Sequence, residues 1–288
     1  MRWSSLFSVY IWIILPPQLY AYPTSESSKQ GHEPVIRNAA ESSSPSTSNR
    51  ENMAQLLSNI TAEAHLDRRA GTPACGVSLR TATRDDCNRK AGILDFTFVG
   101  QPTGTVVGRP MRIVRPTVSP PGSQCDHALE LQVVQFVLTQ SGFCALIPDL
   151  VAAHALPRGA ADVLQAIIDV INHDVNLFFL ETAVNGAKRD YVVKAMRFIP
   201  LSISGTPRTG LFYPDVRQYI RNPTVDNAAT TIAQSADQQI ASIVRLATAI
   251  PNRSAALTNA LVHYNQQLAR GFSVTAVWND VLAAQILP

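Results

Sequence analysis

The chain is short of charge. Only 16% of its 288 residues are Asp, Glu, Lys or Arg, and 24 basic against 21 acidic residues leave a formal charge of +3. That balance excludes a polyanionic tail and is too mild to establish a nucleic-acid partner, so only local clustering of charge can decide. Long apolar runs are also scarce: the N-terminal one is about half the roughly 20 residues a membrane-spanning helix needs, and no later stretch reaches that length. The four cysteines, at spacings of 12, 38 and 19 residues, contain no CxxC knuckle, which argues against a structural zinc site. HExxH, GxSxG, P-loop and GxGxxG patterns are absent, and His154, His173 and His263 stand far apart, so zincin, common hydrolase and nucleotide-binding readings have no anchor. What is plentiful is apolar material, 46% of the chain, enough for one sizeable core or two small ones; disorder throughout is excluded.

The N-terminus predicts the compartment. Arg2 precedes an apolar stretch over 6–15, then Pro16-Pro17 and small Ala21, the layout of a secretory signal peptide over 1–21. The mature protein is then soluble and extracellular, with no membrane span. Residues 22–50 are rich in Ser, Pro, Glu, Asn and Gly, too poor in large apolar side chains to repay ordering, and 22–69 as a whole reads as a disordered propeptide. An amphipathic stretch (Met53, Leu56, Leu57, Ile60) lies near its end, before Arg68-Arg69, a dibasic pair of the kind kexin-type proteases cut in fungal secreted proteins. A mature chain from Ala70 keeps Cys75, Cys87, Cys125 and Cys144, an even set that predicts two disulfides with three possible pairings. Short loops favour Cys75 with Cys87 and Cys125 with Cys144. Asn252-Arg253-Ser254 is a glycosylation sequon available to a secreted chain.

Periodicity predicts a helix-rich α+β fold. Ile93-Leu94-Asp95-Phe96-Thr97-Phe98-Val99 and Thr105-Val106-Val107 read as short strands, and 116–124 as a Pro- and Gly-containing loop. Helices are predicted over 128–138, 159–171, 185–198, 226–249, 253–270 and 275–286, with Asn176-Leu177-Phe178-Phe179-Leu180 a buried strand. The expected organisation is a disulfide-bonded region over 70–225 and a helical C-terminal region over 226–288 packed on it.

The middle of the chain carries the functional signal. Cys125-Asp126-His127, then Asn176-Leu177-Phe178-Phe179-Leu180, then Asn185-Gly186-Ala187-Lys188 follow one another in order. This series resembles the HNH, or ββα-metal, endonucleases: an Asp-His pair, an Asn opening an apolar strand, and Asn-x-x-Lys entering a helix. The resemblance implies a small ββα-metal core and hydrolysis of DNA or RNA phosphodiesters by a toxin or effector that is delivered into target cells. It implies His127 as general base, Asn176 orienting its ring, and Asp126 and Asn185 holding one divalent cation, Mg²⁺ or Mn²⁺, through oxygen. Lys188 and Arg189 would contact substrate phosphates, with Glu130 a further partner of the site. His127 and Asn176 are 49 residues apart, wider than the family's usual spacing, so the hairpin must accept a helical insertion, which logarithmic closure entropy tolerates.

Charge clusters in the same region. Residues 80–115 hold seven basic and three acidic side chains, and 185–221 hold seven and two, while the last helices carry three of each. A phosphate backbone would require such a concentration. Each site residue also has a structural use. Asp126 can be a helix N-cap, His127 a core histidine, Asn176 and Asn185 turn residues, and Lys188 a solvated charge. The alternative is therefore a non-enzymatic secreted effector or binding protein built on the same residues.

Overall fold

A computed structural model describes residues 73–82, 84–203 and 208–288. The expected signal peptide, propeptide and dibasic site lie outside these residues. The elements in chain order are β1 (Pro73–Ala74), β2 (Val77–Ser78), α1 (Arg84–Arg89), β3 (Asp95–Phe98), β4 (Met111–Val114) and β5 (Ser123–His127). Then come α2 (Leu131–Gln140), a 3₁₀ turn (Phe143–Leu146), α3 (Ile147–His154), α4 (Ala160–Ile171), a 3₁₀ turn (Asp174–Asn176), β6 (Leu177–Glu181) and α5 (Thr182–Met196). The rest is β7 (Leu201–Ser202), a 3₁₀ turn (Arg208–Phe212), α6 (Tyr213–Ile220), α7 (Pro223–Ala249), α8 (Ala255–Ala269), α9 (Val274–Ala283) and β8 (Ile286–Leu287). The fold is α+β and helix-rich, as the periodicity predicts.

Four strands form the central sheet in the order β4-β3-β6-β5. β3 pairs antiparallel with β4 and parallel with β6, and β5 runs antiparallel to β6 with Asp126 opposite Phe178 and His127 opposite Leu177. Side chains alternate across a strand, so Phe96, Phe98, Phe178, Leu180 and Asp126 share one face, and Cys125, His127, Leu177 and Phe179 the other. The first face packs on the helical layer. Phe96 meets Phe178 and Tyr219 edge-on at 5.7 and 5.1 Å, and Leu180, Val184, Tyr191 and Val216 continue the same core. The second face has a small separate cluster of Ala82, Cys87, Ile93, Leu177 and Phe179 under α1. The helices beyond residue 226 join the main core, α7 lying on α4 and α9 on both α2 and α5.

The disulfides are Cys75–Cys144 and Cys87–Cys125, not the short-loop pairs. The sheet decides this: Cys125 points to the face that α1 covers, where Cys87 sits, with 5.8 Å between their Cα atoms. Cys75, in the β1–β2 turn, meets the 3₁₀ turn that carries Cys144, 5.1 Å away. The links span 69 and 38 residues. Loops of that size restrict the unfolded chain by roughly 4 kcal/mol each in the chain-entropy account. Two disulfides and no free cysteine among the described residues fit an extracellular or secreted protein.

Thr105-Val106-Val107 is no strand. It is an exposed bend in the strap joining β3 to β4, and the second strand starts later, at Met111. Gly108 lies so close to α6 that an added Cβ would stand 2.9 Å from Gln218 Oε1 and 3.0 Å from the Pro214 carbonyl oxygen. Arg109 then fastens the strap. Its backbone N–H and Nε donate to Asp215 at 2.7 Å each, its terminal nitrogens to Gly100 O at 3.0 Å and Glu181 Oε1 at 2.9 Å. β5 is the other departure: Ser-Gln-Cys-Asp-His has no apolar alternation to announce a strand, and α2 begins at Leu131 rather than 128. Among the described residues no single helix is long and apolar enough to cross a membrane.

Candidate functional site

Asp126 and His127 end β5, and strand alternation sends their side chains to opposite faces of the sheet. On the helical face, Lys188 of α5 donates from Nζ to Asp126 Oδ1 at 3.0 Å and Oδ2 at 2.8 Å, and to the His127 carbonyl. Tyr219 of α6 donates to Asp126 Oδ2 at 2.9 Å, and Glu130 Oε1 lies 3.3 Å from Lys188 Nζ. Asp126 and Lys188 are 1% and 0% exposed, so neither ion reaches solvent. Burial pushes the Asp126 pKa up, against the opposing pull of Lys188; burial and the adjacent Asp126 carboxylate hold the Tyr219 phenol well above its usual range.

On the other face the His127 ring sits between two groups. Arg80 approaches Nδ1 at 3.5 Å, and Asn172 Oδ1 lies 3.3 Å from Nε2. Asn172 Oδ1 also accepts from the backbone N–H groups of Thr81 and Ala82, so it is fixed as an acceptor and the network assigns His127 the Nε2–H tautomer. Burial, then the nearby Arg80 charge, lower the His127 pKa to about 3. Such an imidazole is neutral at physiological pH and a weak base. General-base work is favoured by a pKa near the working pH.

Asn176 does not orient His127; Asn172, four residues earlier, meets the ring. Asn176 is a clasp instead. Its Oδ1 accepts from Leu129 N–H at 2.8 Å, its Nδ2 donates to Ile171 O at 2.8 Å, and its carbonyl accepts from Ala128 N–H at 2.7 Å. These bonds tie the chain leaving β5 to the chain returning into β6, closing the helical insertion at its base. Asn185, partly exposed on α5, donates to Gln124 Oε1 at 3.1 Å. Asn185 and Lys188, one helical turn apart, thus face Gln124 and Asp126, two residues apart on β5. Arg189 is partly exposed on the same helix.

Both Asp126 oxygens accept from Lys188 or Tyr219, and Asn185 donates to Gln124 through Nδ2, so the two expected oxygen donors of a cation serve other contacts here: Asp126 an ion pair, Asn185 a strand-helix bond. Among the described residues no group of three or more His, Cys, Asp or Glu side chains is placed to hold a metal ion. Two surface grooves, of about 370 Å³ between the strap and α6 and about 330 Å³ beside α1, include none of Asp126, His127, Asn176 or Asn185 in their walls.

Sequence reasoning missed Tyr219, Asn172, Arg80 and the set Arg109, Asp215 and Glu181. Each reaches its partner across 45 to 106 residues, and no local pattern signals such a pairing. No protein-family model, no curated protein and no solved structure matches this chain.

Proposed function

We propose that this chain is a non-enzymatic secreted protein that acts by binding, and that its Asp-His pair and its asparagines serve the fold. The observation that carries the reading is the closed network around Asp126. A buried carboxylate held by an ammonium and a phenol, 1% exposed, is committed to joining β5 to α5 and α6 and turned away from solvent. The groove between the strap and α6 is the better contact surface. Val106 and Val107 stand 44% and 73% exposed there beside Arg217, and no acidic side chain lines it. Its chemistry suits an acidic protein partner that also offers apolar side chains.

A second reading is favoured by one observation: β5 runs antiparallel to β6, and α5, bearing Asn185 and Lys188, follows β6 directly. That strand-strand-helix order is the one an HNH-type nuclease of DNA or RNA would use, with His127 as base and Mg²⁺ or Mn²⁺ as cofactor. One assay separates the two readings. The purified secreted chain is incubated with plasmid DNA and with RNA, with Mg²⁺ or Mn²⁺ and then with EDTA, beside a His127→Ala control. The binding reading expects both nucleic acids to stay intact. Metal-dependent cleavage that the control lacks would overturn it in favour of the nuclease.

A further inference from the structure

The turn between α7 and α8 has a chemistry that neither reading uses. α7 ends at Ala249, residues 251–254 are exposed, and Ser254 caps α8 by accepting from Leu257 N–H at 2.9 Å. Asn252 sits at the tip with φ of +52°, in the left-handed region that Asn tolerates better than most residues. Its side-chain amide has no hydrogen-bond partner among the described residues, in contrast to the half-buried Asn172 and the buried Asn176. The sequence reads Asn252-Arg253-Ser254, an Asn-x-Ser triplet with no proline in the middle. Asn222-Pro223-Thr224 offers an instructive contrast: proline bars it as an acceptor, and Asn222 Oδ1 is occupied in capping α7 through Thr224 N–H at 3.1 Å.

We infer that Asn252 is an N-glycosylation site. The reaction joins Asn252 Nδ2 to the anomeric carbon of an oligosaccharide carried on a polyprenyl pyrophosphate. The anomeric C–O bond breaks, the pyrophosphate leaves with its electron pair, and the amide gives up one proton. The folded protein then holds the sugar on an exposed turn, directly before the Ser254 cap of α8. A hydrophilic polymer there keeps protein partners off this turn.

The test uses the full chain expressed in a eukaryotic secretory host. The secreted protein is treated with peptide N-glycosidase in heavy-oxygen water and mapped by mass spectrometry. The expected result is heavy-oxygen aspartate at position 252, and loss of one glycosidase-sensitive step on a gel in Asn252→Gly, which keeps the left-handed turn. Asn59→Gln in the same background removes the other triplet, Asn59-Ile60-Thr61, from the count. A disulfide-bonded chain in the medium with unmodified Asn252 overturns the inference. So does a chain that stays in the cytosol without sugar, because it never meets the donor.

Discussion

Asp126 Oδ2 and Lys188 Nζ lie 2.8 Å apart with both side chains removed from solvent, and this pair locks the last strand of the sheet to the helix that follows β6. Buried ions in such a pair stabilise little in net terms but are costly to separate. Lys188→Met, an uncharged unbranched side chain one atom shorter, should therefore destabilise the protein by about 3–5 kcal/mol, because Asp126 and Glu130 are left beside each other without a cation. Adding Asp126→Asn should recover part of that loss. Urea denaturation of the single and double variants checks both statements, and a single variant as stable as the parent would remove the pair from the account of the fold.

His127 ties stability to pH. Its folded pKa is about 3 against an ordinary 6.5, so the unfolded chain takes up the proton first as pH falls. The contribution is complete above pH 6.5 and is lost as pH drops from there toward 3. The slope from this one group is at most roughly 1.4 kcal/mol per pH unit. His127→Gln should flatten the dependence of unfolding free energy on pH across that window. An unchanged slope in the variant would mean that His127 is not held as a buried neutral ring.

Arg109 is the fastener of the strap, and its loss should be felt there first. Arg109→Ala leaves Asp215, 1% exposed, without its cation and should cost about 3–5 kcal/mol. Arg109→Lys keeps the charge but cannot serve Asp215, Glu181 and Gly100 with one planar fork, so an intermediate loss is expected. Limited proteolysis should cut between residues 99 and 110 faster in both variants than in the parent.

Gly142 ends α2 with φ of +78°, and the His263 ring of α8 lies against it, 2.5 Å from where a Cβ would stand. Gly142→Ala meets strain and a clash together, and a loss of about 2–4 kcal/mol is expected. Removing the ring as well, in Gly142→Ala/His263→Ala, should relieve the clash and leave roughly 1 kcal/mol of backbone strain. Thermal unfolding of the single and double variants separates the two parts.

Much of the helical layer was legible because apolar period alone specifies it. Over 159–171 and 226–249 the apolar residues recur at helical spacing, and the structure has α4 and α7 there, within a few residues at each end. Leu177-Phe178-Phe179-Leu180 is apolar on both sides, and only a strand covered on both faces buries it so. The even cysteine count likewise specified two disulfides. What sequence could not determine was whatever depends on contacts between distant segments. β5 is polar in sequence, and its burial comes from Lys188, Tyr219 and Asn172, which lie 45 to 93 residues away. Pairing of the cysteines depended on which sheet face each one met, not on the length of loop closed. Asp, His, Asn and Lys in that order are compatible with a metal site or with a buried ion pair and a clasp. Only the tertiary structure decided where those groups lie: the sheet register and the packing of α5 put the Lys188 ammonium on the Asp126 carboxylate and send the His127 ring to the other side of the sheet.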